Sequence, residues 1–251
     1  MDRRNAINVD DEPGLRELAL FAGAGGGILG GRLLGWKTIC AVEIDQYARE
    51  VLVSRQNDGC LAPFPIWDDI CTFNGKPWRG IVDVISGGFP CQDISSAKGP
   101  NASGIDGSRS GLWREMARII REIQPRYLYV ENSPMLVCRG LGRVLGDMAA
   151  MGYDAEWGVF SAGDVGARHE RERIWIIGHI RDSHKKPEKP FSRFYEPSEE
   201  SIRAMSEGIS SKPDMGRKSD GLACWMERLA AIGNGQVPAV ARLAWEKLNN
   251  G

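Results

Sequence analysis

The sequence predicts a doubly wound α/β fold, and three observations carry that expectation. Short apolar runs of strand character alternate with segments whose apolar residues recur at helical spacing. A glycine-rich turn, Gly23-Ala24-Gly25-Gly26-Gly27, directly follows the first apolar run. An acidic residue, Glu43, closes the next run twenty residues beyond Gly23, and strand, glycine turn, helix, strand and carboxylate in that order open a nucleotide-binding unit. At 251 residues the chain suits one such domain with an appendage rather than two full domains.

Each element has its own signal. Residues 18–21 (Leu-Ala-Leu-Phe) read as a strand, residues 28–34 as a helix, 38–42 as a second strand and 46–53 as a second helix. The run 81–85 (Ile-Val-Asp-Val-Ile) reads as a buried strand leading into Gly87-Gly88-Phe89-Pro90-Cys91-Gln92, and strand ends of this kind are where open α/β sheets place their chemistry. Pro90 fixes its own φ and pushes Phe89 toward an extended conformation, so the Cys91 thiol is presented from a stiff loop. That geometry suits a nucleophile; the alternative is a small buried apolar cysteine. Leu112, Trp113, Met116, Ile119, Ile120 and Ile123 then recur at helical spacing, with Pro125 as the stop. Residues 127–130 give a strand ending at Glu131, 144–151 a helix, 154–160 an extended segment and 174–178 a further buried strand. The alternation points to a parallel-type sheet with helices on both faces.

Composition shifts after Ile180. Residues 181–221 carry Pro187, Pro190, Pro197 and Pro213, many charges and little apolar periodicity, which describes an irregular recognition lobe or a mobile insertion. Order returns over 225–232, followed by Gly233-Asn234-Gly235 and an apolar helix over 237–248.

Hydrophobic residues make up 42% and charged residues 26% of the chain, ordinary values for a globular protein. The 31 glycines exceed the usual ~7% share and imply tight backbone turns. A net charge of −1 argues against a generically basic nucleic-acid coat. Between residues 168 and 193, however, eight Lys/Arg stand against four Asp/Glu, either a solvated face or a strip that contacts phosphates. The six cysteines (Cys40, Cys60, Cys71, Cys91, Cys138, Cys224) contain no Cys-x-x-Cys pair, so no metal site is suggested. No signal-peptide core and no run near the ~20 apolar residues of a membrane span is visible, and a cytoplasmic location is expected.

The glycines admit more than one reading. Gly25, Gly27 and Gly30 satisfy G-x-G-x-x-G, a pattern shared by structural turns and dinucleotide sites. Counted from the strand end, the working turn is Gly23-x-Gly25-Gly26, and Glu43 is placed to accept both hydroxyls of a ribose. An adenosine-type cofactor follows. Asp69 sits near a third strand end, where it accepts from an adenine amino group or serves as a turn or cap aspartate.

In sum the chain resembles the DNA (cytosine-5)-methyltransferases. The resemblance rests on an ordered series: Leu20-Phe21-Ala22-Gly23-Ala24-Gly25-Gly26, Val42-Glu43-Ile44-Asp45, Asp69-Ile70, Gly88-Phe89-Pro90-Cys91-Gln92, Glu131-Asn132-Ser133, Arg171-Glu172-Arg173 and Gly233-Asn234. It implies a Rossmann-like, S-adenosylmethionine-dependent methyltransferase fold with a small irregular recognition region. Cofactor contacts are implied for Phe21, Ala22, Gly23, Ala24, Gly25, Gly26, Glu43, Ile44, Asp69, Ile70, Gly88 and Asn234. Catalytic roles are implied for Cys91 on its Pro90 loop, Glu131, Arg173 and Arg171. Cys91 would add to cytosine C6, Glu131 would hold a proton at N3, Arg173 would bond O2, and Arg171 would support the same loop or a phosphate.

The substrate implied is DNA with the target base flipped out. Residues 93–111 then correspond to a closing catalytic loop. Ser133 and His169 depart from residues common in the family without removing a reacting group. The expected division is a catalytic domain over 1–180, a reduced target-recognition segment over 181–221, and a C-terminal segment, 222–251, returning to the catalytic domain. A recognition segment this short allows for a partner subunit that supplies specificity. The alternatives are an RNA cytosine-5 methyltransferase and a catalytically reduced DNA- or cofactor-binding protein.

Overall fold

The computed structural model describes residues 14–90, 111–168, 170–181 and 235–249. Seven strands form one sheet: β1 (Arg16–Leu20), β2 (Lys37–Val42), β3 (Ile66–Trp67), β4 (Val84–Gly88), β5 (Tyr127–Asn132), β6 (Tyr153–Phe160) and β7 (Arg173–Ile180), in the spatial order β3-β2-β1-β4-β5-β7-β6. The helices are α1 (Gly26–Leu33), α2 (Gln46–Asn57), α3 (Leu112–Ile123), α4 (Leu136–Arg139), α5 (Leu141–Ala150) and α6 (Pro238–Asn249).

Strand alternation sorts the core into two layers. Leu18, Leu20, Ile85, Leu128, Val130, Ile174 and Ile176 pack with α3 and α5 on one face. Tyr129, Trp175 and Ile177 pack with α6 on the other, and there Ala19 and Ala41 meet α1 and α2. The helical spacing read from 112–123 is the buried stripe of α3: Trp113, Met116, Ala117, Ile119, Ile120 and Ile123 are all inside. At about 1.5–3 kcal/mol for each large apolar side chain, that burial outweighs the lack of a side-chain cap at its N-terminus. Helix α2 starts where Asp45 accepts from the Ala48 N–H at 2.8 Å, an N-cap of the usual kind.

Two expectations need correction. The strand read over 81–85 is observed over Val84–Gly88. Glycine has little strand propensity of its own, but Gly87 pairs with Leu20 and Val130 on its two sides, and Gly88 with Glu131. Pairing on both flanks overrides propensity and carries the strand to the threshold of the Pro90 turn. The sheet is also not parallel throughout, because β7 runs antiparallel to both β5 and β6. Residues 161–172 join β6 to β7 directly, and a connection without a crossover element returns the chain antiparallel. Helix α6, beyond residues 182–234, packs back onto the sheet, where the Tyr129 hydroxyl donates to the Ala241 carbonyl.

Candidate active site

The reversal of β7 builds the site. Strands β1 to β5 all present their C-terminal ends at one edge of the sheet, and β7 brings its N-terminal end to the same edge. Glu131 therefore lies opposite Trp175 in the ladder, and Arg173 is within reach of its carboxylate.

At the β1 end, Phe21 holds φ 53 and Gly23 φ 54. A left-handed phenylalanine costs on the order of 1–3 kcal/mol and persists only where the surroundings hold it. Here Ala22 N–H donates to the Val42 carbonyl at 3.1 Å. The buried Glu43 carboxylate accepts from Gly23 N–H at 2.6 Å and from Asp45 N–H at 2.8 Å. Two of its roughly four lone-pair directions remain, so the residue shapes the turn and still has acceptor capacity. Asp69 uses one carboxylate oxygen to close its own turn, accepting from Cys71 N–H at 2.8 Å.

Glu131 is 8% exposed and its Oε1 pairs with Arg173 Nε at 2.9 Å. Burial raises its pKa above the ordinary carboxylate range; the charges of Arg173 and Arg171 and hydrogen bonds from Gln236 and Arg173 pull the other way. Asn132 Nδ2 donates to the Phe89 carbonyl at 2.9 Å, pinning the backbone that leads through Pro90 to Cys91. Arg171 Nη2 donates to the Gly235 carbonyl at 2.8 Å.

These groups surround a cavity of about 530 Å³, within the range of small-molecule and cofactor pockets. Of the residues expected to hold a cofactor, Phe21, Gly23, Ala24, Glu43, Ile44, Asp69, Ile70 and Gly88 line it. Ala22 faces a smaller adjoining cavity; Gly25 caps α1 in a left-handed conformation, and Gly26 lies against the Gln236 backbone. Of the residues expected to be catalytic, Pro90, Glu131 and Arg173 line the main cavity, whereas Arg171 anchors Gly235 beside it. Cys91, Asn234 and His169 lie outside the described residues, as do 93–110 of the expected loop and 182–221 of the expected recognition segment.

Sequence reading passed over Leu112 as a lining residue and Gln236 as a neighbour of both Glu131 and the glycine turn. No motif marks Gln236; its position two residues past Asn234 was the one available hint. Among the described residues, no cluster of three His, Cys, Asp or Glu is placed to hold a metal ion, and no helix is long and apolar enough to cross a membrane.

A family model for C-5 cytosine-specific DNA methylases matches residues 15–243. The chain belongs to that family. Among similar curated proteins, the chain is 31% identical over 175 residues to the Type II methyltransferase M.CviJI of Paramecium bursaria Chlorella virus IL3A. This match covers 69% of the chain and 45% of the relative. It is 36% identical to the Type II methyltransferase M.PspPI of Psychrobacter sp. over 66% of the chain and 40% of the relative. The chain thus spans less than half the length of these two relatives. A prophage-encoded E. coli protein assigned as a DNA modification methyltransferase superposes with a TM-score of 0.52 at 28% identity, covering 66% of this chain and 47% of that one. The Dnmt2 methyltransferase of S. pombe gives 0.54 at 18% identity over 79% and 56% of the two chains, a likeness of fold.

Proposed function

We propose that the protein transfers a methyl group from S-adenosylmethionine to C5 of cytosine in DNA. The observation that carries this reading is the placement of buried Glu131, paired with Arg173, on the cavity that Glu43 and Pro90 also line. The residues present fit the cofactor: Glu43 keeps acceptor capacity for ribose hydroxyls, and Ile44 and Ile70 give the cavity apolar wall beside Asp69. When bound, the cofactor supplies an electrophilic methyl group.

The chain's own residues must activate the base. Cytosine C5 is a poor nucleophile, and addition of the Cys91 thiolate at C6 makes C5 enamine-like; after methylation, loss of the C5 proton to water or hydroxide lets the C6–S bond break and returns the thiolate. A thiol with an ordinary pKa near ~8.5 is only a few per cent thiolate at neutral pH, so a loop that sets its geometry matters. Glu131, whose pKa burial raises, holds the proton at N3 as charge develops. Arg173 has Nε on Glu131 and Nη1 on the Glu172 carbonyl, and its remaining N–H groups suit the base O2. A base stacked in a duplex cannot enter such a pocket, so the target nucleotide is flipped out, the general solution for methyltransferases.

On this reading residues 1–180 and 222–251 supply catalysis and 181–221 supplies target recognition. That segment has 41 residues, few for readout through the major groove, which leaves a place for a partner subunit. The test is methyl transfer from labelled S-adenosylmethionine to DNA, with bisulfite sequencing to locate the product. Transfer that disappears in Cys91→Ala while cofactor binding persists is the expected result; near-normal turnover in that variant would overturn the reading.

A further inference from the structure

Helix α1 begins at Gly26 with Gly25 as its N-cap and no side-chain cap. The space over its first turn is taken by Gln236, from the segment that leads into α6. A Cβ on Gly27 would lie 2.3 Å from Gln236 Oε1, and one on Gly26 would lie 2.2 Å from the Gln236 carbonyl oxygen. The other end of the same side chain faces β4 and β5. A Cβ on Gly88 would sit 3.2 Å from Gln236 Nε2 and 2.3 Å from Glu131 Oε2, and the Gln236 amide hydrogen-bonds the Glu131 carboxylate. The backbone beneath is held as well, since Arg171 donates to the Gly235 carbonyl.

We propose that Gln236 is a positioning residue, its amide bridging the first turn of α1 and the Glu131 carboxyl so that the proton-holding group is tied to the glycine turn of the cofactor site. The proposal rests on the assignment of Glu131 as the group that holds the N3 proton. Geometry gives the amide one productive orientation: Nε2 faces a carboxylate, which only accepts, and Oε1 lies over the first turn of α1 beside Gly27. It also explains three glycines at once, because a side chain at 26 or 27 displaces Gln236 and one at 88 displaces Glu131.

Among the described residues, the charged and titratable groups around Glu131 are few. Arg173 of β7 and Arg171 just before it face it, and Tyr129 lies on its own strand. β4 presents the backbone of Gly88, and the first turn of α1 presents glycine backbone. Gln236 is thus the neutral donor in an otherwise cationic set, and it favours the ionised carboxylate. Its removal makes Glu131 harder to ionise, and the protonated form persists to higher pH.

The experiment is the pH profile of methyl transfer by the full chain with labelled S-adenosylmethionine and DNA, for wild type, Glu131→Gln, Gln236→Met and Gly27→Ala. Methionine keeps the length of glutamine without donor or acceptor. The alkaline limb of the profile is expected to move up by about one unit in Gln236→Met, the worth of one hydrogen bond to a charged group. Gly27→Ala meets only the far end of a flexible side chain, so it folds and reproduces the shift with Gln236 present. It should add no further shift in a Gln236→Ala background. A uniform fall in rate with an unmoved limb in Gln236→Met, or an equal effect of Gly27→Ala in both backgrounds, overturns the proposal. Full activity in Glu131→Gln would instead overturn the assignment of Glu131, a separate result.

Discussion

Glu131 and Glu17 are both buried on the face of the sheet that carries α1 and α6, and burial raises the pKa of each. Their company differs. Glu131, at the C-terminal edge, has Arg173, Arg171 and Gln236 against it and opens onto the cavity. Glu17, in β1, has only hydroxyls: Thr38 Oγ1 and Ser86 Oγ each donate to it at 2.6 Å. Neutral partners do not offset the loss of water around a charge, and its pKa is pushed up to about 7. Burial therefore produces a carboxyl poised by cations at one end of the sheet and a structural carboxyl that resists ionisation at the other.

The largest expected effect tests the functional half of that contrast. Glu131→Gln should lower methyl transfer by roughly 10²–10⁴-fold, the usual worth of a positioned acid or base, measured with labelled cofactor. Glu17→Gln should stay close to the wild-type rate. Comparable losses in the two variants would erase the distinction.

The structural half is read in stability against pH. A folded-state pKa of about 7 lies above the unfolded value of 4.5, so the group's contribution is fully present below the unfolded value and is lost as pH rises through the folded one. Over that interval the loss is about 3 kcal/mol. Denaturant titrations should therefore show Glu17→Gln gaining on wild type as pH rises from 4.5 to 7. A constant difference between the two would show that folding leaves the Glu17 pKa unshifted.

A third carboxylate, Glu43, stands between these cases, since it orders the turn at Gly23 and faces the cavity. Glu43→Ala should weaken S-adenosylmethionine binding about tenfold or more, from hydrogen bonds to a charged group of ~1.5–3 kcal/mol, with DNA binding much less affected. Calorimetric titration measures both, and unchanged cofactor affinity would remove Glu43 from the cofactor site. The smallest effect belongs to an exposed pair. Arg16 Nε meets Asp83 at 2.8 Å with both side chains partly in solvent, and Arg16→Ala should lower stability only slightly in denaturant titration, and less still in high salt.

Much of this site is legible in the sequence because strand ends advertise themselves: an apolar run that stops at Glu43 or Glu131 puts a carboxylate on the working edge. Helix α3 was equally plain from its apolar spacing. What stayed hidden depends on long-range pairing. The direction of β7 leaves no trace in 174–178, since a buried strand has the same apolar run whichever way it points. The strand character of Gly87 and Gly88 comes from neighbours on both flanks. Glu17 carries no signal of burial in the sequence until Thr38 and Ser86 are seen around it, and Gln236 becomes visible only when α6 is brought back to α1.

The meeting of Gln236 with Gly27 also sets a timetable for synthesis. The glycine turn leaves the ribosome about two hundred residues before its partner, which at ~5–20 residues per second is about 10–40 s. During that interval the sheet from β1 to β5 can pair and Arg173 follows Glu131, but Glu131 still lacks Gln236. A nascent chain therefore carries its nucleotide turn without a finished proton-holding group, and the two halves of the chemistry come together only after residue 236 has emerged.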